Sequence, residues 1–269
     1  MDTIGFVGGG NMAEALIKGI ISAGVWRPEN ILVSDIKVER LKYLTEKYRV
    51  TAAVSNETLA ANVGLLVLSV KPQNMADALQ SIKETLKPDA LIISIAAGIK
   101  AANIAAVLGE MAIVRVMPNT PALIGEGAGA LFANDKAKPM LEEAMSIFAS
   151  VGKAVVVDDE DLIDAVTAVS GSGPAYYFLL MEEMMKAAGQ LGLPAEVAKN
   201  LVLQTAKGAA LLAVEAANKG ESPAELRRKV TSPGGTTEAA LKIFRSHDFS
   251  RLINDALTAA CDRSKELSG

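Results

Sequence analysis

The chain is short of nearly every residue that builds a reactive centre by itself. Among its 269 residues there is one cysteine, Cys261, and one histidine, His247. A single cysteine excludes an internal disulfide framework and fits a reducing cytoplasm. The same scarcity excludes a Cys/His metal cage and leaves no Ser-His-Asp or Cys-His set for nucleophilic catalysis. A net charge of −4 argues against broad nucleic-acid binding. No apolar run approaches the roughly 18 residues that span a bilayer; the longest, such as Leu91–Ala97, have the length of buried strands. Asp2 and the lack of a basic leader predict no secretory signal. Aromatic residues make up only 4%. Yet half the chain is apolar and the mean hydropathy is +0.28. High hydrophobicity without a membrane span predicts large contacts between subunits.

What is present begins at once. Thr3-Ile4-Gly5-Phe6-Val7 runs into Gly8-Gly9-Gly10-Asn11-Met12-Ala13, then into a helical stretch. The spacing is G-x-G-x-x-A, between a strand and a helix, and that context is what gives the motif weight. Gly8 makes the tight turn, Gly10 lets a pyrophosphate approach the backbone, and Ala13 lets the helix lie close on the sheet. The helix start offers free N–H groups and a positive dipole end to phosphates. A dinucleotide, and with it redox chemistry, is the first function to consider.

The first part of the chain alternates strand and helix. Strands are predicted at Ile4–Val7, Ile31–Ser34, Thr51–Val54, Leu65–Ser69, Ala90–Ile95 and Ile113–Met117, with two more at Ala128–Phe132 and Ala154–Val157. Helices are predicted at Met12–Ala23, Val38–Tyr48, Asn74–Thr85, Ala101–Leu108 and around Met140–Val151. Short continuous apolar strands are those buried on both faces, and the alternation predicts an α/β fold with a Rossmann-type, doubly wound parallel sheet. After Asp158-Asp159-Glu160 strand signals vanish. Helices are predicted at Asp161–Val169, Ala175–Leu191, Ala195–Asn218, from Thr236, and from Phe249 to Leu267, with a capping box at Ser222-Pro223-Ala224-Glu225. The expected division is therefore a dinucleotide-binding domain over 1–160 and an all-α domain for dimerisation and substrate over 161–269. The two long helices are apolar on most faces, which predicts an obligate dimer that buries them.

The carboxyl ends of the strands should line the site. Behind the second strand stand both kinds of cofactor selector: Asp35 suits the ribose hydroxyls of NADH, whereas Ser34, Lys37 and Arg40 suit the 2′-phosphate of NADPH. The choice stays open. Lys71, held extended before Pro72, is a candidate beside the cofactor. So are the loops Ala96-Ala97-Gly98 and Arg115–Pro121, the latter offering Asn119 and Thr120. In the helical part, Ser170-Gly171-Ser172-Gly173-Pro174 and Thr231–Thr237 read as small-residue turns that open helices and present anion sites. The second suits a substrate carboxylate. No general acid stands out, which disfavours alcohol dehydrogenation and suits reduction of a C=N bond.

Taken together, the Gly8–Ala13 turn, Val70-Lys71-Pro72, Arg115–Pro121, Ser170–Tyr176 and Val230–Thr237 resemble the pyrroline-5-carboxylate reductase family over essentially the whole chain. The resemblance implies reduction of 1-pyrroline-5-carboxylate to L-proline by NADPH or NADH, with NADPH the family's usual donor. It implies homodimers often assembled into decamers. By motif, the dinucleotide would contact Gly8, Gly10, Asn11, Met12 and Ala13, with Ser34 and Asn56 on the adenosine side and Val70, Lys71 and Ala97 on the nicotinamide side. Ser232, Gly234, Gly235, Thr236 and Thr237 would hold the substrate, with Thr237 at the ring nitrogen. The site is expected to join one chain's nucleotide domain to its partner's helical loops. Two other readings compete: a β-hydroxyacid dehydrogenase using a helix lysine such as Lys186 or Lys199, and a silent dinucleotide sensor.

Overall fold

A computed structural model of the chain describes residues 3–268. It divides into two compact units, Met1–Pro174 with Leu257–Gly269, and Ala175–Ala256. The first unit carries eight strands among the described residues, in the order β3-β2-β1-β4-β5-β6-β7-β8. They are β1 (Ile4–Val7), β2 (Ile31–Ser34), β3 (Thr51–Ala52), β4 (Leu65–Leu68), β5 (Leu91–Ser94), β6 (Ala112–Met117), β7 (Gly127–Ala133) and β8 (Gly152–Val156). Helices α1 (Asn11–Ser22), α2 (Val38–Tyr48), α3 (Asn56–Asn62), α4 (Met75–Ile82), α5 (Ala101–Leu108) and α6 (Leu141–Ala149) connect them.

The strands are apolar on both faces because both faces are covered. Along β4, Leu65 and Val67 join one core while Leu66 and Leu68 join the other. In β5, Leu91 and Ile93 divide from Ile92 in the same way. This is the two-residue period of a strand read on both sides of a sheet. Each fully buried Leu or Ile contributes about 1.5–3 kcal/mol, so the central strands fix the register of the unit.

Two details depart from the expected pattern. The first six strands are parallel, but β7 runs antiparallel to β6 and β8 runs parallel to β7. The β6–β7 link holds only a 3₁₀ turn, Thr120–Ile124, and a parallel crossover needs a dozen residues or more. Helix α3 carries no clear apolar period. It forms because β3 and β4 flank the same βαβ connection and because Ser55 caps its start, accepting from the Thr58 N–H at 3.2 Å.

The segment after β8 begins with α7 (Leu162–Val166) and a π turn at Thr167–Gly171. The π turn replaces the open helix start expected at Ser170–Pro174. The Ser172 N–H donates to the Thr167 carbonyl at 2.8 Å, and the Asn119 side chain takes the Ser170 carbonyl. A carbonyl released by a π bulge needs such a partner. The chain's last turns also belong to this unit. Ser264 Oγ donates to Asp164 Oδ1 at 2.6 Å, both buried, and Gly98, at φ +72°, sits under the Leu267 carbonyl.

The second unit is helical: most of α8 (Gly173–Gln190), then α9 (Ala195–Ala217), α10 (Pro223–Lys229), α11 (Thr236–Ser246) and the start of α12 (Phe249–Ser268). The capping box is present, with the Glu225 N–H on Ser222 Oγ and Glu225 Oε2 on the Ser222 N–H. Its apolar surface is largely uncovered. Tyr177 is 67% exposed, Phe178 60% and Leu211 55%. Ordering backbone costs about 1–2 kcal/mol per residue, and little buried surface within this unit offsets it.

Gly98→Ala should lower the unfolding free energy by about 1–3 kcal/mol. A Cβ there meets the Leu267 carbonyl oxygen at 2.8 Å from a left-handed backbone. Urea titration checks this, and an unchanged midpoint would mean the C-terminal turn does not dock on the loop.

Candidate active site

The strand ends build one edge. Gly8 leaves β1 at φ +95°, and a Cβ there would lie 2.9 Å from the Ser69 carbonyl oxygen and 3.1 Å from Val70. Only glycine makes this turn. Ser69 locks it from the end of β4, its hydroxyl donating to the carbonyls of Val7 at 3.0 Å and Gly8 at 2.5 Å. Gly10 is exposed, with no atom within 4 Å of where a Cβ would stand. It is the N-cap of α1, and no side chain caps the helix. The amides at Asn11, Met12 and Ala13 thus start a helix whose first donors lack a side-chain acceptor, beside open space. Ala13 is fully buried against the sheet. A pyrophosphate fits this cradle by shape and by charge.

Next to it, at the ends of β2 and β3, lies a cavity of about 740 Å³ lined by Ser34, Asp35, Val38, Leu41, Ser55 and Asn56 among others. Ser34 Oγ donates to Asn56 Oδ1 at 2.6 Å, and Asn56 Nδ2 donates to Ser81 Oγ at 3.0 Å. Ser34 and Asn56 are thereby placed side by side from separate elements. The cavity has the size and apolar wall that an adenosine needs.

Asp35 does more than face this cavity. Its Oδ2 accepts the Gly9 N–H at 2.7 Å and its Oδ1 the Lys37 N–H at 2.8 Å. Arg40 also turns towards the glycine loop. Its Nε donates to the Gly9 carbonyl, and its Nη2 to the Gly10 carbonyl at 3.3 Å and to Glu14 at 2.5 Å. Arg40 is not among the residues lining the cavity, although sequence reading allowed it to serve a 2′-phosphate. Glu14, which sequence reading passed over, is the centre of a cluster. Tyr43 and Tyr48 hydroxyls donate to it at 2.8 Å each, and Lys47 at 3.1 Å. Arg40, Tyr43 and Lys47 stand at i, i+3 and i+7 on α2, one helix face; that spacing was the available signal. Burial alone would raise the Glu14 carboxyl, but the hydrogen bonds from Arg40, Tyr43, Tyr48 and Lys47 outweigh it and hold its pKa at about 2.

The remaining expected residues fall at the ends of β4, β5 and β6. Lys71 is exposed, while Val70 and Ala97 are half-buried. Asn119 is buried, and both ends of its amide have protein partners: Nδ2 donates to the Ser170 carbonyl at 3.0 Å, and Oδ1 accepts the Ala128 N–H at 2.8 Å. Arg115, 1% exposed, pairs with Glu160 at 3.3 Å, and its Nε is buried without a hydrogen-bond partner. Glu160 also accepts the Ala101 N–H at 2.7 Å, so this part-buried pair anchors the loop that carries Ala97.

The substrate turn expected by sequence lies wholly in the second unit. Gly234 takes φ +72° and its N–H donates to Glu238 Oε2 at 2.7 Å. Gly235 is the N-cap of α11, and no side chain caps that helix either. Thr236 and Thr237 add hydroxyls at its first turn. The lysines a hydroxyacid dehydrogenase would use are poorly placed for proton transfer. Lys186 is exposed and paired with Glu182 at 2.6 Å and Glu183 at 2.7 Å, which raises its pKa. Lys199 is exposed with Glu196 at 3.7 Å. Among the described residues no group of acidic, His or Cys side chains could hold a metal ion, and no helix is long and apolar enough to cross a membrane.

The likeness to known proteins extends over the whole chain. A protein-family model described as pyrroline-5-carboxylate reductase dimerisation matches residues 160–267. Another, described as NADP oxidoreductase coenzyme F420-dependent, matches residues 3–98. The chain is 48% identical to a pyrroline-5-carboxylate reductase of Pseudomonas aeruginosa over 98% of this chain and 96% of that protein. It superposes on the structure of a pyrroline-5-carboxylate reductase from Coxiella burnetii with a TM-score of 0.94, at 42% identity, covering 100% of this chain and 99% of that one. A Plasmodium falciparum pyrroline carboxylate reductase with NADP bound matches with a TM-score of 0.86 at 33% identity, covering 99% and 98%.

The Glu14 cluster carries a pH signature. A carboxylate with a lowered folded-state pKa stabilises the fold above its ordinary value of 4.5, and this is lost as pH falls through about 2. Glu14→Gln should therefore lower the thermal midpoint at neutral pH, and its gap to the wild type should shrink as the pH drops below about 4.5. A gap independent of pH would show that the carboxylate is not held this way.

Proposed function

The chain belongs to the pyrroline-5-carboxylate reductase family, and from that premise we propose how its residues divide the reduction of 1-pyrroline-5-carboxylate to L-proline by NAD(P)H. Residues 1–160 hold the dinucleotide, and residues 161–269 carry the dimer contacts and the substrate. The observation that carries this reading is the pair of uncapped glycine-led helix starts, α1 behind Gly10 and α11 behind Gly235. Each offers amide donors and a dipole end to an anion; the first suits a pyrophosphate and the second a single carboxylate.

The backbone amides at Gly10, Asn11, Met12 and Ala13 receive the pyrophosphate, with Gly8 setting the turn. Ser34, Asp35 and Asn56 face the adenosine ribose, and Val70, Lys71, Ala97 and the Asn119 backbone border the nicotinamide. When bound, the dinucleotide supplies the hydride for the C=N carbon. Ser232 and the first amides of α11 clamp the substrate carboxylate, Gly234 and Gly235 shape the turn that presents them, and Thr236 supports it. Thr237 Oγ bonds the ring nitrogen and fixes which carbon is presented. A threonine hydroxyl is too weak an acid to protonate that nitrogen outright, so the proton comes with the iminium form or from water. The chain's contribution is positioning, for which effective molarity is worth on the order of 7–11 kcal/mol. An imine substrate explains why the site needs no strong general acid.

The exposed apolar faces of α8 and α9 are the dimer surface of this reading, and they are supported as such by the dimerisation-family match. The dimer joins one chain's dinucleotide edge to its partner's Gly234–Thr237 turn. Cys261 stands without a disulfide partner, which agrees with a cytoplasmic setting.

Absorbance at 340 nm tests the activity: NADPH or NADH oxidation with pyrroline-5-carboxylate is expected, and oxidation only with a 3-oxoacid would overturn the reading. Thr237→Ala should reduce kcat by roughly 10²-fold or more while dinucleotide affinity holds. Mixing Thr237→Ala with Gly10→Val tests the shared site. Neither variant should turn over alone, and their mixed dimers should regain activity; no regain would place the whole site in one chain. Sedimentation of the wild type should give a dimer or the larger decamer, never a monomer.

A further inference from the structure

We propose that Arg40 and Glu14 are positioning residues for the dinucleotide: Arg40 holds the carbonyl of Gly9 away from the cofactor, and Glu14 holds Arg40. The proposal rests on the reading that the Gly8–Ala13 turn binds the pyrophosphate. A trans peptide is planar, so its C=O and N–H point in opposite directions. Arg40 Nε takes the Gly9 carbonyl, and Nη2 reaches the Gly10 carbonyl at 3.3 Å. The Gly9 carbonyl is drawn towards α2, and the Gly10 N–H, which shares that peptide, faces the other way; the Gly10 carbonyl is already set by α1, accepting the Glu14 N–H at 2.9 Å. The Gly9 N–H is fixed independently by Asp35 at 2.7 Å. Gly9 is thereby gripped at both polar atoms by opposite charges.

The guanidinium suits this task because its donors are fixed in a planar fork, which a lysine ammonium lacks. It must also be kept from the more attractive phosphate. Glu14 Oε2 does that at 2.5 Å, with Tyr43 stacked under the guanidinium at 5.0 Å from its ring centroid. A carboxylate in the first turn of α1 would by itself repel a pyrophosphate. Arg40 and Lys47 both pair with it, so the cluster as a whole carries one net positive charge. None of these three side chains lines the adenosine cavity. Arg40 thus acts on the cofactor through the loop rather than by touching the 2′-phosphate.

The test compares Arg40→Met, Arg40→Lys, Glu14→Gln and the Glu14→Gln/Arg40→Met double variant, with folding checked by circular dichroism and thermal midpoint. Arg40→Met should raise the Kd and KM of NADH and NADPH alike by roughly 5- to 30-fold, the scale of losing a charge-assisted hydrogen bond. The KM for pyrroline-5-carboxylate and the kcat at saturating dinucleotide should stay within about twofold. Arg40→Lys should not rescue, and the double variant should be no worse than Arg40→Met, because Glu14 acts through Arg40. If Arg40→Met fails to fold, Glu14→Gln alone should show the same paired rise at smaller size. A loss confined to NADPH would make Arg40 a phosphate ligand and overturn the proposal, as would unchanged affinities in Arg40→Met and Glu14→Gln. Gly10→Val separates the two levels. If it leaves dinucleotide affinity intact, the underlying reading of the turn fails; if it abolishes binding while the Arg40 and Glu14 variants do nothing, only the present proposal fails.

Discussion

A strand buried on both faces can offer chemistry only at its ends, and this constraint orders the first unit. Between two layers of apolar side chains, β1 has no free face. Its chain must leave the sheet where the neighbouring backbones still crowd it, and Gly8 does so with the Ser69 carbonyl 2.9 Å from the place of a Cβ. The turn is then tied to β2 by the Gly8 N–H on the Ser34 carbonyl at 2.8 Å and to β4 by Ser69. The order of strands β3-β2-β1-β4-β5 reverses at β1 and β4, so the connections that leave their carboxyl ends part to opposite sides. That is where an open α/β sheet accepts a ligand. The same packing that stabilises the core thus brings the Gly8–Ala13 turn and the cavity beside Ser34 and Asn56 to one edge.

The second unit obeys the opposite condition. Its helices present more apolar surface than they bury among themselves. Small residues such as Ala198, Val202 and Ala216 are what it does bury, and the large ones face out. The turn at Gly234–Thr237 is borne on these same helices, so whatever covers their apolar faces also steadies that turn.

Much of this was legible beforehand, for physical reasons particular to each element. Strands β1 and β2 and helices α2 and α5 were placed to the residue, since their apolar runs are bounded by glycine, proline or charge. The Ser222–Glu225 box was legible because both partners lie within three residues. The antiparallel β7 was not, because strand direction depends on what a link can span rather than on the strand's own composition. The turn at Ser170–Pro174 misled for a related reason: small residues permit an open helix start, but Gly171 instead admits Met117 against its backbone and the chain winds on as a π turn. The Glu14 cluster joins residues about thirty positions apart, and no local pattern reports a contact of that kind. Only the face shared by Arg40, Tyr43 and Lys47 hinted that something would sit opposite.

The cluster also changes how cofactor choice is understood. An acid at the end of β2 is ordinarily taken to accept ribose hydroxyls, and a nearby arginine to accept a phosphate. Here both are already engaged with the glycine loop. A carboxylate has acceptor capacity beyond the two amides that Asp35 binds, so it can still meet a ribose hydroxyl. Arg40 has less freedom, since leaving its post would release the Gly9 carbonyl and take from Glu14 one of its two cationic partners. Attraction for a 2′-phosphate then falls to Lys37 and Lys42. Lys42 lines the cavity and is held only by Glu46 at 3.9 Å. Exposed pairs of this kind are worth about 0–1 kcal/mol, so breaking one to meet a phosphate costs little. The fixed groups behind β2 are thus committed to the glycine loop, and Lys42 beside the cavity is a cation still available to a ligand.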